Sequence, residues 1–249
     1  MTSPGFDDRR LSFGVAAADY AAHRPGYPVQ AVRWVLEAAT RQVREVADVG
    51  AGTGAFSAVL TGLGYTVTAF EPDPGMLEQL RGSRPDVAGV LSHAESLPLH
   101  DASVDALTAA QAWHWFDRAA AAAEFVRVVR PGGVIGLFWN VRDDRVPWMG
   151  ALSDLIDGED TMRASRADAL AQIQAVHPGV VRGDFPHTVA MTPDAVVGLV
   201  GTFSYVRLRA DADQVRAAVR GLLATHPDTA GRAVVEVPYV CAAYRIARP

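Results

Sequence analysis

The chain has 249 residues, of which 49% are hydrophobic and 20% charged, and it carries a formal net charge of −5. That is a globular composition, with length enough for one large domain or one domain carrying an insertion. Cys241 stands alone, which excludes an intrachain disulfide and any multi-cysteine metal site, so no metal is expected.

All 23 basic residues are arginine, so lysine is absent as a base or Schiff-base amine. The arginines are scattered rather than gathered in a stripe, which argues against a nucleic-acid partner. Every long apolar run is broken by Arg, Asp, Gly or Pro short of a membrane span. The opening MTSPGFDDRRLSFG has acids where a secretory signal has an apolar core. A cytoplasmic protein that is monomeric or homodimeric, with neither membrane nor nucleic acid as partner, is therefore expected.

In chain order, residues 1–28 are polar, dotted with aromatics and Pro-rich towards their end, and read as an arm outside the main fold. Arg24 precedes Pro25 and is held extended. Pro28 opens a helix carrying Val29, Val32, Trp34, Val35 and Leu36. Short apolar runs then alternate with helical patterns. Strands are expected over 45–49, 66–70, 87–91, 104–109 and 133–139, and helices over 54–63, 73–82 and 117–130. Alternation of this kind predicts a doubly wound α/β fold, a parallel sheet with helices on both faces. Asp117 caps the last of these helices, and Pro131-Gly132-Gly133 is expected to stop it.

From Asn140 to about Val200 the alternation lapses, apart from helical patterns near 162–176 and after Thr192-Pro193. The range 141–200 therefore reads as an inserted cap. Beyond it lie Ser204–Leu208, a helix near 211–224, and the apolar runs Val234–Val237 and Tyr239–Tyr244.

The chemistry concentrates at Glu45–Phe56, EVADVGAGTGAF. A strand runs into Asp48 and then into glycines at alternate positions, Gly50, Gly52 and Gly54, before a helix begins. This is where an open α/β sheet takes a nucleoside-containing cofactor. Glycine tolerates positive φ and lets a ligand lie directly on the backbone. Glu71 ends the next apolar run, roughly 20 residues on, where a carboxylate accepts hydrogen bonds from ribose hydroxyls. Asp48, an acid on a strand expected to be buried, calls for partners or a cationic ligand.

Four segments, DVGAGTG, FEPDPGML, SHAESLPLHDASVDALTAAQAWHWF and VRVVRPGGVIGLFWN, resemble in order and spacing the class I S-adenosylmethionine-dependent methyltransferases. The resemblance covers residues 12 to 140 best. It is nearest the small-molecule branch that opens with a Tyr-x-x-x-Arg-Pro-x-Tyr-Pro segment, here Tyr20 to Pro28. It implies a Rossmann-like, seven-stranded sheet in a single domain over 1–249. It also implies S-adenosylmethionine as cofactor and a small-molecule acceptor methylated on O, N or C.

The resemblance further places the methionine moiety against Asp48, Gly50, Ala51, Gly52, Thr53 and Gly54, with Arg24 reaching its carboxylate. Glu71 follows at the ribose hydroxyls, with Pro72 and Met76 among the cofactor contacts. Ala94, Glu95 and Gln111 lie around the adenine and the strand ends, although His93 stands where the family often has an acid. Tyr20 would line the methyl-transfer channel, with residues 1–28 as a lid. Trp113, Trp115 and Phe116 would wall the pocket, and His114 would take a proton from the acceptor. Two other readings fit the glycine turn: a nicotinamide-dependent oxidoreductase, with no role for Asp48, and a catalytically silent cofactor-binding partner subunit.

Overall fold

The computed structural model describes residues 26–156, 169–207 and 209–249, the side chains of 169, 170 and 204 excepted. Tyr20, Arg24 and all but the end of the expected lid arm lie outside them.

One seven-stranded sheet organises the molecule. In chain order its elements are α1 (Val29–Leu36), β1 (Glu45–Val49), α2 (Ala55–Gly62), β2 (Thr66–Glu71), α3 (Pro74–Ser83), β3 (Ala88–Leu91) and β4 (Val104–Ala110). There follow α4 (Arg118–Val128), β5 (Val129–Arg142), α5 (Pro147–Ile156), α6 (Ala169–Val176) and β6 (Val181–Met191). The chain closes with α7 (Pro193–Gly201), α8 (Ser204–Arg207), α9 (Ala212–Thr225) and β7 (Val235–Ala247). Strand order is β3-β2-β1-β4-β5-β7-β6. The first five strands pair in parallel, and β7 runs antiparallel between β5 and β6. The doubly wound, Rossmann-like architecture is thus present.

Central strands are apolar on both faces because both faces are covered. On one side α1 and α2 pack Val32, Val35, Phe56 and Leu60 over Val46, Val67, Ala106 and Phe138. On the other, α4 and α6 bring Phe125 and Ile173 against Leu107, Ile135 and Leu137. Each fully buried Leu, Ile or Phe contributes about 1.5–3 kcal/mol by leaving water. Asp73 caps α3 by accepting from Gly75 and Met76 N–H, and Asp117 caps α4 by accepting from Ala119 and Ala120 N–H. The short polar side chain satisfies amides that the first helical turn leaves unpaired.

The structure departs from the sequence reading in two places, at the end of α4 and inside the expected cap. Helix α4 stops at Val128, and β5 starts at once and runs through Pro131-Gly132-Gly133. A Cβ on Gly133 would lie 2.4 Å from the Asp105 carbonyl oxygen, so this pair serves strand approach rather than helix termination. Ser204–Arg207, left unassigned by the sequence reading, is a helical turn. Residues 181–191, inside the expected cap 141–200, form the edge strand β6. Gly183 and Pro186 hide it in the sequence, and Pro is admitted because an edge strand has one side without a ladder partner.

The helical layer that remains is α5 with α7, α8 and α9, extending well past residue 200. It has its own core of Trp148, Met149, Leu152, Val197, Val219 and Leu223 on the ends of β6 and β7. Its connections leave β5 and β6 and enter β7 at the sheet's carboxyl edge. The last part of the expected helix 162–176 is α6, and its beginning lies outside the described residues.

Candidate active site

A pocket opens at the carboxyl ends of β1, β2 and β4. Its base is the turn after β1, where Gly50, Gly52 and Gly54 have φ of 67°, 58° and 88°. These are left-handed values that cost a side chain energy. The glycines answer different needs. A Cβ on Gly50 would sit 2.6 Å from Ala112 Cβ, and one on Gly54 would sit 3.1 Å from Leu80 Cγ. At Gly52 it would meet nothing within 4 Å and would enter the pocket that Gly52 lines. Of the three, Gly52 is the one whose added Cβ would meet none of the described residues, so its backbone is open to a ligand. Gly54 is the left-handed N-cap of α2 and does not line the pocket.

Two buried carboxylates hold this turn. Glu71 Oε2 accepts from Gly52 N–H at 2.8 Å, and its Oε1 accepts from Asp73 N–H at 3.0 Å. Burial, reinforced by the nearby charges of Asp73 and Asp48, pushes its pKa up to about 7, against the pull of those two N–H donors. Asp48 is fully buried, and accepts from Ser57 Oγ at 2.6 Å and Thr108 Oγ1 at 3.1 Å. Burial raises its pKa to about 6 despite these hydroxyls. A cation in the pocket would restore the ionised forms of both.

Asp48, Gly50, Ala51, Gly52, Thr53, Glu71, Pro72, Met76, Ala94, Glu95 and Gln111 all line this one pocket. Glu95 also accepts from the Asp117 N–H at 2.8 Å, tying the turn after β3 to the start of α4. Gln111 has a left-handed φ of 55°, rare for a side chain larger than glycine, and it lies where β4 ends. Its Nε2 donates to the Asn140 carbonyl at 2.9 Å.

Of the aromatic run, Trp115 and Phe116 line the pocket, whereas Trp113 is 1% exposed in the core. His114 is not among the lining residues, and its ring lies 4.9 Å from that of Trp115. The cause is the 3₁₀ turn Trp113–Trp115, which fans successive side chains about 120° apart. Cys241 is a buried packing residue, its thiol pushed up to about 12 by burial.

Sequence reasoning passed over Phe56 and Asn140 and gave Tyr27 no contact of its own, yet all three line the pocket. Tyr27 meets Phe56 edge-on at 4.8 Å, and Phe56 rests on Phe138 at 4.6 Å. Asn140 Nδ2 donates to the Gly26 carbonyl at 2.9 Å, and its Oδ1 lies 3.0 Å from His187 Nε2. The missed signal at Asn140 is positional. It is the first polar residue after β5's apolar run, as Glu71 is after that of β2 and Gln111 after that of β4.

An open α/β sheet with a glycine turn after its first strand and an acid ending its second is the arrangement in which such sheets take nucleoside cofactors. Residues 47–137 match the family model described as a methyltransferase domain. An uncharacterized methyltransferase of Mycobacterium tuberculosis is 41% identical over 245 residues, spanning 96% of each chain. The chain belongs to the methyltransferase family.

Among solved structures, a protein assigned as a type II methyltransferase from Anaeromyxobacter dehalogenans superposes with a TM-score of 0.70 at 28% identity. It covers 90% of this chain and 97% of its own. A Haemonchus contortus phosphoethanolamine N-methyltransferase, solved with S-adenosylhomocysteine, shares the fold at a TM-score of 0.55 and 11% identity. That match covers 100% of this chain and 61% of the nematode protein. Among the described residues, no helix is long and apolar enough to cross a membrane.

Proposed function

We propose that this methyltransferase uses S-adenosylmethionine to methylate O, N or C of a small molecule, with the pocket after β1 as the cofactor site. The observation that carries the reading is the bare, left-handed Gly52 beside buried Glu71, in a pocket that gathers eleven of the residues singled out for it. The fold neighbour that carries the demethylated cofactor supports it.

Bound there, the cofactor would supply an electrophilic methyl on a sulfonium. The Gly50–Thr53 backbone would hold the methionine moiety. Glu71 spends one lone pair of each oxygen on a backbone N–H and keeps others for ribose hydroxyls. Met76, Pro72, Ala94 and Glu95 would bracket the adenine. Trp115 and Phe116 present aromatic faces, which attract a cation. Arg24 and Tyr20, in the arm that ends at Tyr27, would close on the methionine carboxylate and the methyl channel. The helical layer of α5 and α7–α9 would cap the acceptor. Catalysis would then rest chiefly on alignment and exclusion of water, with His114, whose ring packs on that of Trp115, helping to place this pocket wall.

Calorimetry with S-adenosylhomocysteine and NADH tests the cofactor, and mass-shift screening of a metabolite extract with S-adenosylmethionine tests the transfer. Binding of the adenosyl ligand alone and a gain of one methyl in a small molecule are expected. Heat from NADH and none from the adenosyl ligand would sink the reading.

A further inference from the structure

A second cavity, of about 420 Å³, lies on the sheet between β5, β7 and β6 and shares no residue with the cofactor pocket. The register shows how it is made. Trp139 pairs with Ala242 and Val141 with Val240. Arg182 pairs with Tyr244, Asp184 with Ala242 and Pro186 with Val240. Residues paired in register and two apart share one face, so these eight form a single strip three strands wide. Its floor is apolar and aromatic, with Trp139 meeting Tyr244 edge-on at 5.4 Å. Its rim is cationic: the Arg182 guanidinium lies 5.8 Å from the Tyr244 ring centroid, and Arg142 and Arg145 close the end.

Among the described residues, the lining carries three guanidinium groups against one carboxylate, Asp184. Arg142 is committed to the helical layer, donating to Ser153 Oγ at 2.8 Å and to Tyr205 Oη at 3.2 Å. Arg145 is paired with Asp143 through Nε and one terminal nitrogen, both at 2.7 Å. Arg182 bonds Asp184 Oδ1 at 2.9 Å. Each of the last two retains N–H donors beyond its pair, since a guanidinium has five. The Arg182–Asp184 pair is exposed and two residues apart on one strand, hence weak, so a carboxylate in the cavity competes with it on favourable terms, while Arg145 offers the donors its pair with Asp143 leaves over.

We infer that this cavity binds a small organic acid, one carboxylate on a flat or branched apolar body. The carboxylate meets Arg182 and Arg145, and the body lies on Trp139, Val141, Val240 and Tyr244. Arginine takes a carboxylate through paired N–H donors, and the aromatic floor removes the body from water. The inference goes beyond the cofactor site and does not depend on what that site binds.

Titration of the cofactor-free protein with benzoate, cinnamate and hexanoate, each beside its neutral amide, tests it by calorimetry and by quenching of tryptophan fluorescence. Acids should bind about tenfold or more tightly than amides of the same shape, as expected of a charge-assisted contact. Trp139→Phe should remove most of the quenching. Arg182→Gln should weaken the acids about tenfold while leaving the amides alone. Asp184→Asn, which deletes the opposing carboxylate, should tighten them. Arg182 and Asp184 are exposed on an edge strand and Trp139→Phe keeps an aromatic ring in place, so the variants should fold, and an unchanged circular dichroism spectrum checks this. Equal affinity for acid and amide, or a folded Arg182→Gln variant that binds acids like the parent, would overturn the inference. S-adenosylhomocysteine binding, measured on the same samples, keeps a failure here separate from a failure of the cofactor reading.

Discussion

The two cavities lie on either side of the end of β5, with Asn140 in the first and its neighbours Trp139 and Val141 in the second, and they are built on opposite plans. The first is made of backbone. A glycine turn in left-handed conformation is pinned by Glu71, and Asp48 is buried beneath it. The second is made of side chains standing on a regular strip of sheet, with no strained backbone among its residues. A pocket of the first kind tolerates little change, because each part holds another. A pocket of the second kind can be re-lined one residue at a time without disturbing the strands. One chain can thus keep its cofactor site fixed while its second site varies.

The sharpest way to break this contrast is at Gly52. Valine there needs φ near 58° and projects into the pocket. Binding of S-adenosylhomocysteine should fall by more than about a hundredfold, and the backbone strain should cost on the order of 1–2 kcal/mol. Organic acids should bind the second cavity as before. Gly50→Ala acts differently, since its Cβ meets Ala112 rather than open space. There the melting temperature should drop first, and ligand affinity as a consequence. Equal cofactor affinity in parent and Gly52→Val would show that no ligand lies on that turn.

Glu71 sharpens the contrast through pH. Its pKa rises from 4.5 to about 7 on folding, so between these values the native state binds more protons than the unfolded one. The sign follows: this group's stabilisation is fully present below pH 4.5 and is lost as pH rises through 7, by on the order of 3 kcal/mol at most. A ligand that donates hydroxyls to Glu71 and carries a cation demands the ionised form, so it binds best above pH 7 and releases a proton below it. Affinity for S-adenosylmethionine should fall steadily from pH 8 to pH 5.5. In Glu71→Gln it should be lower by about tenfold or more, with the part of the pH slope due to Glu71 removed. Calorimetry in buffers of differing ionisation enthalpy reads the released proton. An unchanged slope in the variant would move the titration to Asp48.

The difference between the cavities also explains what could be read in advance. Gly50, Gly52, Glu71 and Gln111 are dictated by local rules that leave marks in the sequence: glycine where φ is positive, a polar residue where an apolar run ends. Asn140 obeys the same rule and was legible in principle. Strand β6 was not. Up to its last residue, Met191, it is nowhere buried, so its hydrophobic period is weak, and Gly183 and Pro186 imitate a loop. The second cavity exists only once β7 has paired Tyr244 with Arg182 and Val240 with Pro186, a long-range register that no local pattern encodes. For the same reason the packing of α9 with α5 and α7 into one helical layer leaves no local mark in the sequence.

His114 should show the smallest effect, because it lines neither cavity. It was singled out for its position after β4 between two tryptophans, yet the 3₁₀ turn gives the pocket wall to Trp115 and sets the His114 ring against it at 4.9 Å. As the base it would have to reach the acceptor's proton at hydrogen-bond distance, and its loss would lower kcat by roughly 10²–10⁴-fold. Through its ring contact with Trp115 its influence is on the placement of that ring. His114→Ala should then lower kcat by less than about tenfold, a change of at most about 1.4 kcal/mol in the barrier, with cofactor affinity unaltered. His114→Phe, which keeps a ring against Trp115 but no titratable nitrogen, should restore most of the loss. A hundredfold fall in both variants, together with loss of the acidic limb of the pH–rate profile, would instead place the imidazole on the acceptor and require the turn to rearrange when substrate binds.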